Sequence, residues 1–466
     1  MQESNPHKNP DLFQKIAEFE ALLKSNETPF FALETYQELI YHYINNDQMS
    51  KALRLCGFAI KQYPFSLEIR LSQAQIFTYI EKEEEALEIL DEAQNLYPND
   101  PEILKLKGSV YVASGKFKEA IECLKTLLPI TNEKAETLFS IANAYQYNEQ
   151  YSQAIGYYKR VLDEAPKFED AVYELIHCAD QEGLLEECVA YFEKRIDRNP
   201  YSAKSWFHLG LIYNELGSNK KAIHAFDYAS IIDETFSPAF YQLGHAYMND
   251  RMYEKAFDAY QRTLELQLPD ARLYCHLGAA KERLDEYSKA LTYYKKASEL
   301  DKESDEAWFG MGVCLAAKEK WFEAVHFFKK AIHLSQFMQP YWIHLAEAEH
   351  KLGNWQAASD AFKRAAAITG YNPEIWVKWA TACYQEGEVD YAIEILKDGL
   401  DDLPENAELN YQICAYHLNA GNYHEAMHYL EVALLLDYDL HTMLYEFFPT
   451  LEIQKALTRI INQFKA

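Results

Sequence analysis

The sequence predicts an all-α chain built as a solenoid of short helix-turn-helix units. Three observations carry that prediction. The stretch 203–236 places Trp206, Leu209, Gly210 and Tyr213 on one helical stripe. After a break at Leu216-Gly217-Ser218, it sets Ala222, Phe226 and Ala229 on a second. The same pattern returns every 34 residues, with starts at 33, 67, 101, 135, 169, 203, 237, 271, 305, 339, 373 and 407. Twelve copies reach Leu440 without an insertion. The composition agrees: 35 Tyr and 25 Phe against 16 Gly and 15 Pro suit a helical chain with many wedges to fill, and argue against disorder. A compact domain of 466 residues would need several cores, whereas a solenoid grows its core in one dimension.

Residues 1–9 are polar and read as loose. Residues 10–24 read as one amphipathic helix with Leu12, Phe13, Ile16, Phe19, Leu22 and Leu23 apolar. Asn9 stands as its N-cap and Pro10 at its first position, and residues 25–29 break it. Solenoids expose an apolar face at each end, so 1–32 is assigned as an N-terminal capping helix.

From 33 to 440 the positions repeat. The twentieth is Ala in eleven copies, among them Ala52, Ala222 and Ala426, and Cys188 in the fifth. The eighth is mostly Gly or Ala, as in Gly108, Ala142, Gly210, Gly244, Gly278 and Gly312. Small residues at these two positions predict the closest crossing of two antiparallel helices. Pro64, Pro98, Pro166, Pro200 and Pro404 end their units, where Pro stops a helix. Residues 441–466 leave the pattern. Pro449 interrupts, then Ile453, Leu457, Ile460, Ile461 and Phe464 form one stripe, which reads as a C-terminal capping helix.

Trp, Leu-Gly, Tyr, then Ala, Phe and Ala at these offsets resemble the tetratricopeptide repeat, a 34-residue helix-turn-helix. The resemblance covers nearly the whole chain. The tail, with residues 434–448, looks like those of bacterial proteins of this family, of Bacteroidetes type, and implies no activity. The family resemblance implies a right-handed superhelical solenoid with a concave groove lined by first helices. It also implies a non-enzymatic scaffold that binds an extended peptide or a partner protein. Many family members hold chaperone tails with a carboxylate clamp, a Lys at position five and an Asn at position nine. Here only Lys105 stands at a fifth position, followed by Ser109 at the ninth, so that partner is not carried over.

The net charge of −27 disfavours nucleic acid and anionic membranes, while it keeps the chain soluble and would steer basic partners inward. Eight Cys without a CxxC pair read as reduced, packed thiols. The N-terminus has no signal-like apolar region, and no run of about 18 apolar residues occurs, so a cytoplasmic protein without membrane insertion is expected.

His424-Glu425-Ala426-Met427-His428 matches HExxH, which on a helix holds zinc beside a general base. It supplies the alternative, a metal-binding protein or hydrolase. Ala426 is the twentieth residue of its repeat, however, and the third ligand would have to come from Glu446 or Glu452. Gly310-Met311-Gly312 lies inside a first helix, not after a strand, so nucleotide binding is not expected. Acids at 81–85, and at the second position in Glu34, Glu68, Glu102, Glu136 and Asp170, read as solvated residues favoured by the helix dipole. No cofactor and no catalytic residue is assigned.

The expected partner site is the stripe of positions five, nine, twelve and thirteen on the first helices. It contains Phe139, Tyr173, Phe207, Tyr241 and Phe309, bordered by Asn143, His177, Asn214, His245 and Asn249. Aromatic lanes edged by amides and imidazoles suit an extended chain. The alternative is that the rings pack against the adjacent first helix.

Overall fold

The computed structural model describes residues 10–25, 28–369, 371–447 and 451–463. These form 27 α-helices with no strand among the described residues. The expected looseness of 1–9, the Asn9 cap, Pro449 and Phe464 lie outside them. Two compact units divide the chain, one of Met1–Pro200 with Leu211–Gly217, the other of Tyr201–Gly210 with Ser218–Ala466.

Helices begin where the 34-residue step puts them, at Leu33, Leu67, Pro101, Ala203, Ser237, Ala271, Asp305, Gln339, Pro373 and Ala407. Two are displaced by one residue, to Lys134 and Asp170. Side chains cap several starts: Asp100, Asp270, Ser304, Asn372 and Asn406 each accept from backbone N–H groups of the first turn. Within each unit a helix packs on the next in sequence, and a first helix also touches the following first helix, as Ala271–Glu282 does Asp305–Ala316.

The turn inside each repeat has one geometry. Its fifteenth residue has positive φ in all twelve copies. Six are Gly, but Asp47, Glu81, Glu149, Arg251, Asp285 and Glu319 adopt the same left-handed conformation. The next N–H reaches back five residues, as in Gln150 to Tyr145 (2.9 Å) and Asn354 to Glu349 (2.9 Å). This closure satisfies carbonyls that a helix end leaves free. A non-glycine residue there costs about 1 kcal/mol, which the hydrogen-bonded turn sustains.

The core runs along the repeats. Ala52, Ala86, Ala120, Ala154, Ala222, Ala256, Ala290, Ala324, Ala392 and Ala426 are fully buried, as is Cys188. The eighth position corrects the sequence reading. A Cβ on Gly312 would lie 2.5 Å from the Phe328 ring, one on Gly244 2.5 Å from Tyr260, and one on Gly210 2.5 Å from Phe226. These glycines make room for a ring of the second helix, not for its backbone.

The helix Pro10–Ser25 covers the first pair: Phe19 is fully buried, with its ring 5.8 Å from Tyr43. Phe13, counted among its apolar face, points outward and is exposed. At the other end Leu444, Leu457 and Ile461 are buried against Leu430, Ala433 and Leu434.

Candidate functional site

The rings at position five lie close to those at position twenty-four. Seven successive repeats carry an aromatic there: Tyr158, Phe192, Phe226, Tyr260, Tyr294, Phe328 and Phe362. All seven are buried. Four of them touch a position-five ring of their own repeat: Tyr158 meets Phe139, Phe226 meets Phe207, Tyr260 meets Tyr241 and Phe328 meets Phe309.

In the N-terminal unit, Phe139 is half-buried, 5.7 Å from Tyr158 and 4.9 Å from Phe168 between ring centroids. Asn143 accepts a 2.6 Å hydrogen bond from the Tyr158 hydroxyl, so its amide oxygen is engaged by the core. Tyr173 differs: 53% of its surface is exposed. His177, one turn on, is exposed beside it. Asn214 is half-buried with its Oδ1 buried and unpaired. Glu34, Glu68, Glu102, Glu136 and Asp170 are all exposed. Lys105 forms an ion pair with Glu133, whose hydrogen bond raises the lysine pKa.

In the C-terminal unit, Phe207 is buried, with Phe226 at 5.7 Å and Phe236 at 5.2 Å. Tyr241, His245, Tyr260 and His276 form a cluster. The Tyr241 hydroxyl lies 3.0 Å from His276 Nε2, the His245 ring is 4.6 Å from both Tyr241 and His276, and Tyr260 stacks on His276 at 5.4 Å. Burial, then the neighbouring His245, lowers the His276 pKa to about 4, and burial also lowers that of His245. Both imidazoles are therefore neutral at pH 7. Phe309 stacks on Tyr341 at 4.5 Å, and the Tyr341 hydroxyl donates to Asp305 (3.0 Å). Beyond it Lys378 bridges Glu347 (2.7 Å) and Glu374 (2.9 Å). Asn249 is exposed.

The stripe thus holds two kinds of residue. Phe139, Phe207, Tyr241 and Phe309 pack between helices, while His177 and Asn249 are exposed and Tyr173 keeps about half of its surface exposed. The aromatic run at position twenty-four was visible in the sequence, but it includes Phe192 in the repeat of Tyr173 and so does not separate the two kinds. A second regularity also went unread: His208, His276 and His344 occupy position six of alternate repeats, 68 residues apart.

His424 and His428 are exposed on the helix Tyr423–Leu436, with Ala426 buried between them. Among the described residues, no three His, Cys, Asp or Glu side chains gather closely enough to hold a metal ion. No helix of the described residues is long and apolar enough to cross a membrane.

The model for the N-terminal tetratricopeptide repeat region of Psidin matches residues 38–164. Two further tetratricopeptide repeat models match 139–203, and 203–229, 237–269 and 271–304. No curated protein matches the chain. Among solved structures, a chain of the APC/C hetero-tetramer Cut9–Hcn1 is 17% identical, with 90% of this chain and 92% of that chain covered, at a TM-score of 0.42. YrrB, described as a TPR protein with an unusual peptide-binding site, is 23% identical over 39% of this chain and 93% of its own, at 0.33. MamA is 26% identical over 34% of this chain and 92% of its own, also at 0.33.

Proposed function

Because the chain belongs to the tetratricopeptide repeat family, we propose that it is a non-enzymatic scaffold holding an extended peptide or partner protein along the inner stripe of its first helices. Residues 33–440 supply twelve repeats, with 1–32 and 441–466 as caps, and the protein works in the cytoplasm. Nucleic acid is not the partner: the net charge of −27 repels a phosphate backbone and attracts basic segments.

The observation that carries this reading is the exposure of Tyr173 with His177 one turn away. Phe139, Phe207, Tyr241 and Phe309 are buried or half-buried, whereas Tyr173 keeps more than half of its surface exposed. An exposed ring beside an exposed imidazole offers an apolar anchor and a hydrogen-bonding group to one passing chain. Phe139, Phe207, Tyr241 and Phe309 then act as walls that hold the first helices in place. Asn143, Asn214 and His245 border them, and Asn249 extends the polar edge.

Affinity capture with mass spectrometry identifies the partner, and the double variant Tyr173→Ser/His177→Ser tests the surface. Both side chains are exposed, so circular dichroism should stay helical while capture falls at least tenfold. Undiminished capture by the folded variant would exclude this stripe as the main site.

A further inference from the structure

The helices Gln339–Lys351, Trp355–Ile368, Pro373–Gln385 and Val389–Asp402 enclose a cavity of about 270 Å³ near their turns. Its inner wall is Ala358, Phe362 and Trp379. Phe362 and Trp379 are buried, and Trp379 is held in place by its Nε1–H, which donates to Ser359 Oγ at 3.1 Å. Trp355 and Tyr391 line it while remaining 44% and 43% exposed. Glu386 and Glu388 are exposed lining residues, and among the described residues no Lys or Arg lines the cavity. His350 stands in the wall with its ring 4.9 Å from Trp355. Its Nε2 is buried with no hydrogen-bond partner among the described residues.

These features narrow the occupant. The volume lies just below the roughly 300–1,000 Å³ of ordinary ligand pockets, so it suits one side chain better than a drug-sized molecule. Aromatic faces with two carboxylates and no opposing cation select positive charge. A guanidinium meets both conditions. It is planar, stacks on indole and phenol faces, is weakly hydrated, and has five donors to share between the two carboxylates. An ammonium is a compact, strongly hydrated point charge that fits the flat walls less well.

We propose that this cavity is a side-chain pocket for an arginine of a protein partner, separate from the first-helix stripe and not dependent on it. Trp355 and Tyr391 flank the guanidinium, and Glu386 and Glu388 neutralise it.

The test is calorimetric titration of the full chain with the blocked pentapeptide acetyl-Gly-Gly-Arg-Gly-Gly-amide, and with versions carrying Lys or the uncharged isostere citrulline. Saturable binding is expected for the Arg peptide, weaker binding for Lys, and the weakest for citrulline. Trp355→Ala should weaken the Arg peptide by roughly three- to thirtyfold, the range of one desolvated cation–π contact. The pair Glu386→Gln/Glu388→Gln should weaken it by roughly two- to tenfold, with a reduced salt dependence. All three positions are exposed, and circular dichroism checks the fold. If Trp355→Ala unfolds, the two Gln substitutions still test the charge. Absence of saturable binding overturns the proposal. So does equal binding of the citrulline peptide, or unchanged affinity in the folded variants.

Discussion

Replacing Gly312 by Ala should destabilise the protein, although Ala is the better helix former. Gly312 lies in the helix Asp305–Ala316, and an added Cβ would stand 2.5 Å from Phe328 Cε1, 2.6 Å from Cδ1 and 3.1 Å from Cζ. Ordinary carbon contacts begin near 3.4 Å, so the ring or the helix must move by about 0.9 Å. Phe328 cannot swing freely: it is fully buried, with Phe309 at 5.7 Å and His344 at 5.8 Å. Overpacking of this kind costs about 1–3 kcal/mol, and the gain in helix propensity returns about 1 kcal/mol. The net expectation is a loss of up to about 2 kcal/mol. Gly156 provides the control. It is also inside a helix, Tyr151–Glu164, but is exposed with nothing within 4 Å of its Cβ position. There the same substitution should stabilise by about 0.5–1 kcal/mol. Urea unfolding of the two variants should move the midpoint in opposite directions. A second change, Phe328→Leu, should recover part of the loss at Gly312 by shortening the obstructing side chain. If Gly312→Ala raises the midpoint as Gly156→Ala does, the ring-accommodating role of position eight is wrong.

Three further outcomes are expected. Repeat five should open first, because Ile176 fills its eighth position opposite Phe192, and its two helices approach each other less closely than those of repeats one to four and seven to twelve. Arg195 partly compensates by donating to the Leu162 carbonyl at 3.0 Å, so hydrogen exchange should be fastest in 170–198, with protection there equal to the neighbouring repeats refuting the idea. Burial pushes the thiols of Cys56, Cys178, Cys275, Cys314 and Cys414 up to about 12, so iodoacetamide at pH 8 should leave all five unmodified in the folded protein, and rapid labelling of any of them would contradict this packing. His276 stays neutral in the fold to about pH 4, whereas it takes a proton near 6.5 when unfolded; the unfolded chain therefore binds more protons below pH 6.5, and stability should fall between pH 6.5 and 4 by on the order of 2–3 kcal/mol. Asp270 opposes this shift and Arg272 adds to it, and His276→Gln should flatten the acid loss in denaturant melts at pH 7 and pH 4.5.

The sequence by itself determined what repeats. The 34-residue step, the small twentieth residue and the Pro-marked ends are local signals, and they located ten of the first helices to the residue. Periodicity could do this because each repeat solves the same packing problem with its neighbours. It could not decide which way a ring faces. Phe207 and Tyr173 hold the same position, yet one is buried against Phe226 and Phe236 and the other is half in water. That outcome depends on neighbours brought together by the helix crossings. The same holds for Glu149 and Glu319, whose side chains give no hint of the left-handed backbone that their turns impose. It holds also for the cavity beside Trp355, whose walls come from four helices and acquire their joint chemistry only when those helices meet. Spacing along one helix is set by covalent geometry and is legible in the chain; exposure and concave shape are properties of several segments at once, so tertiary packing decides them.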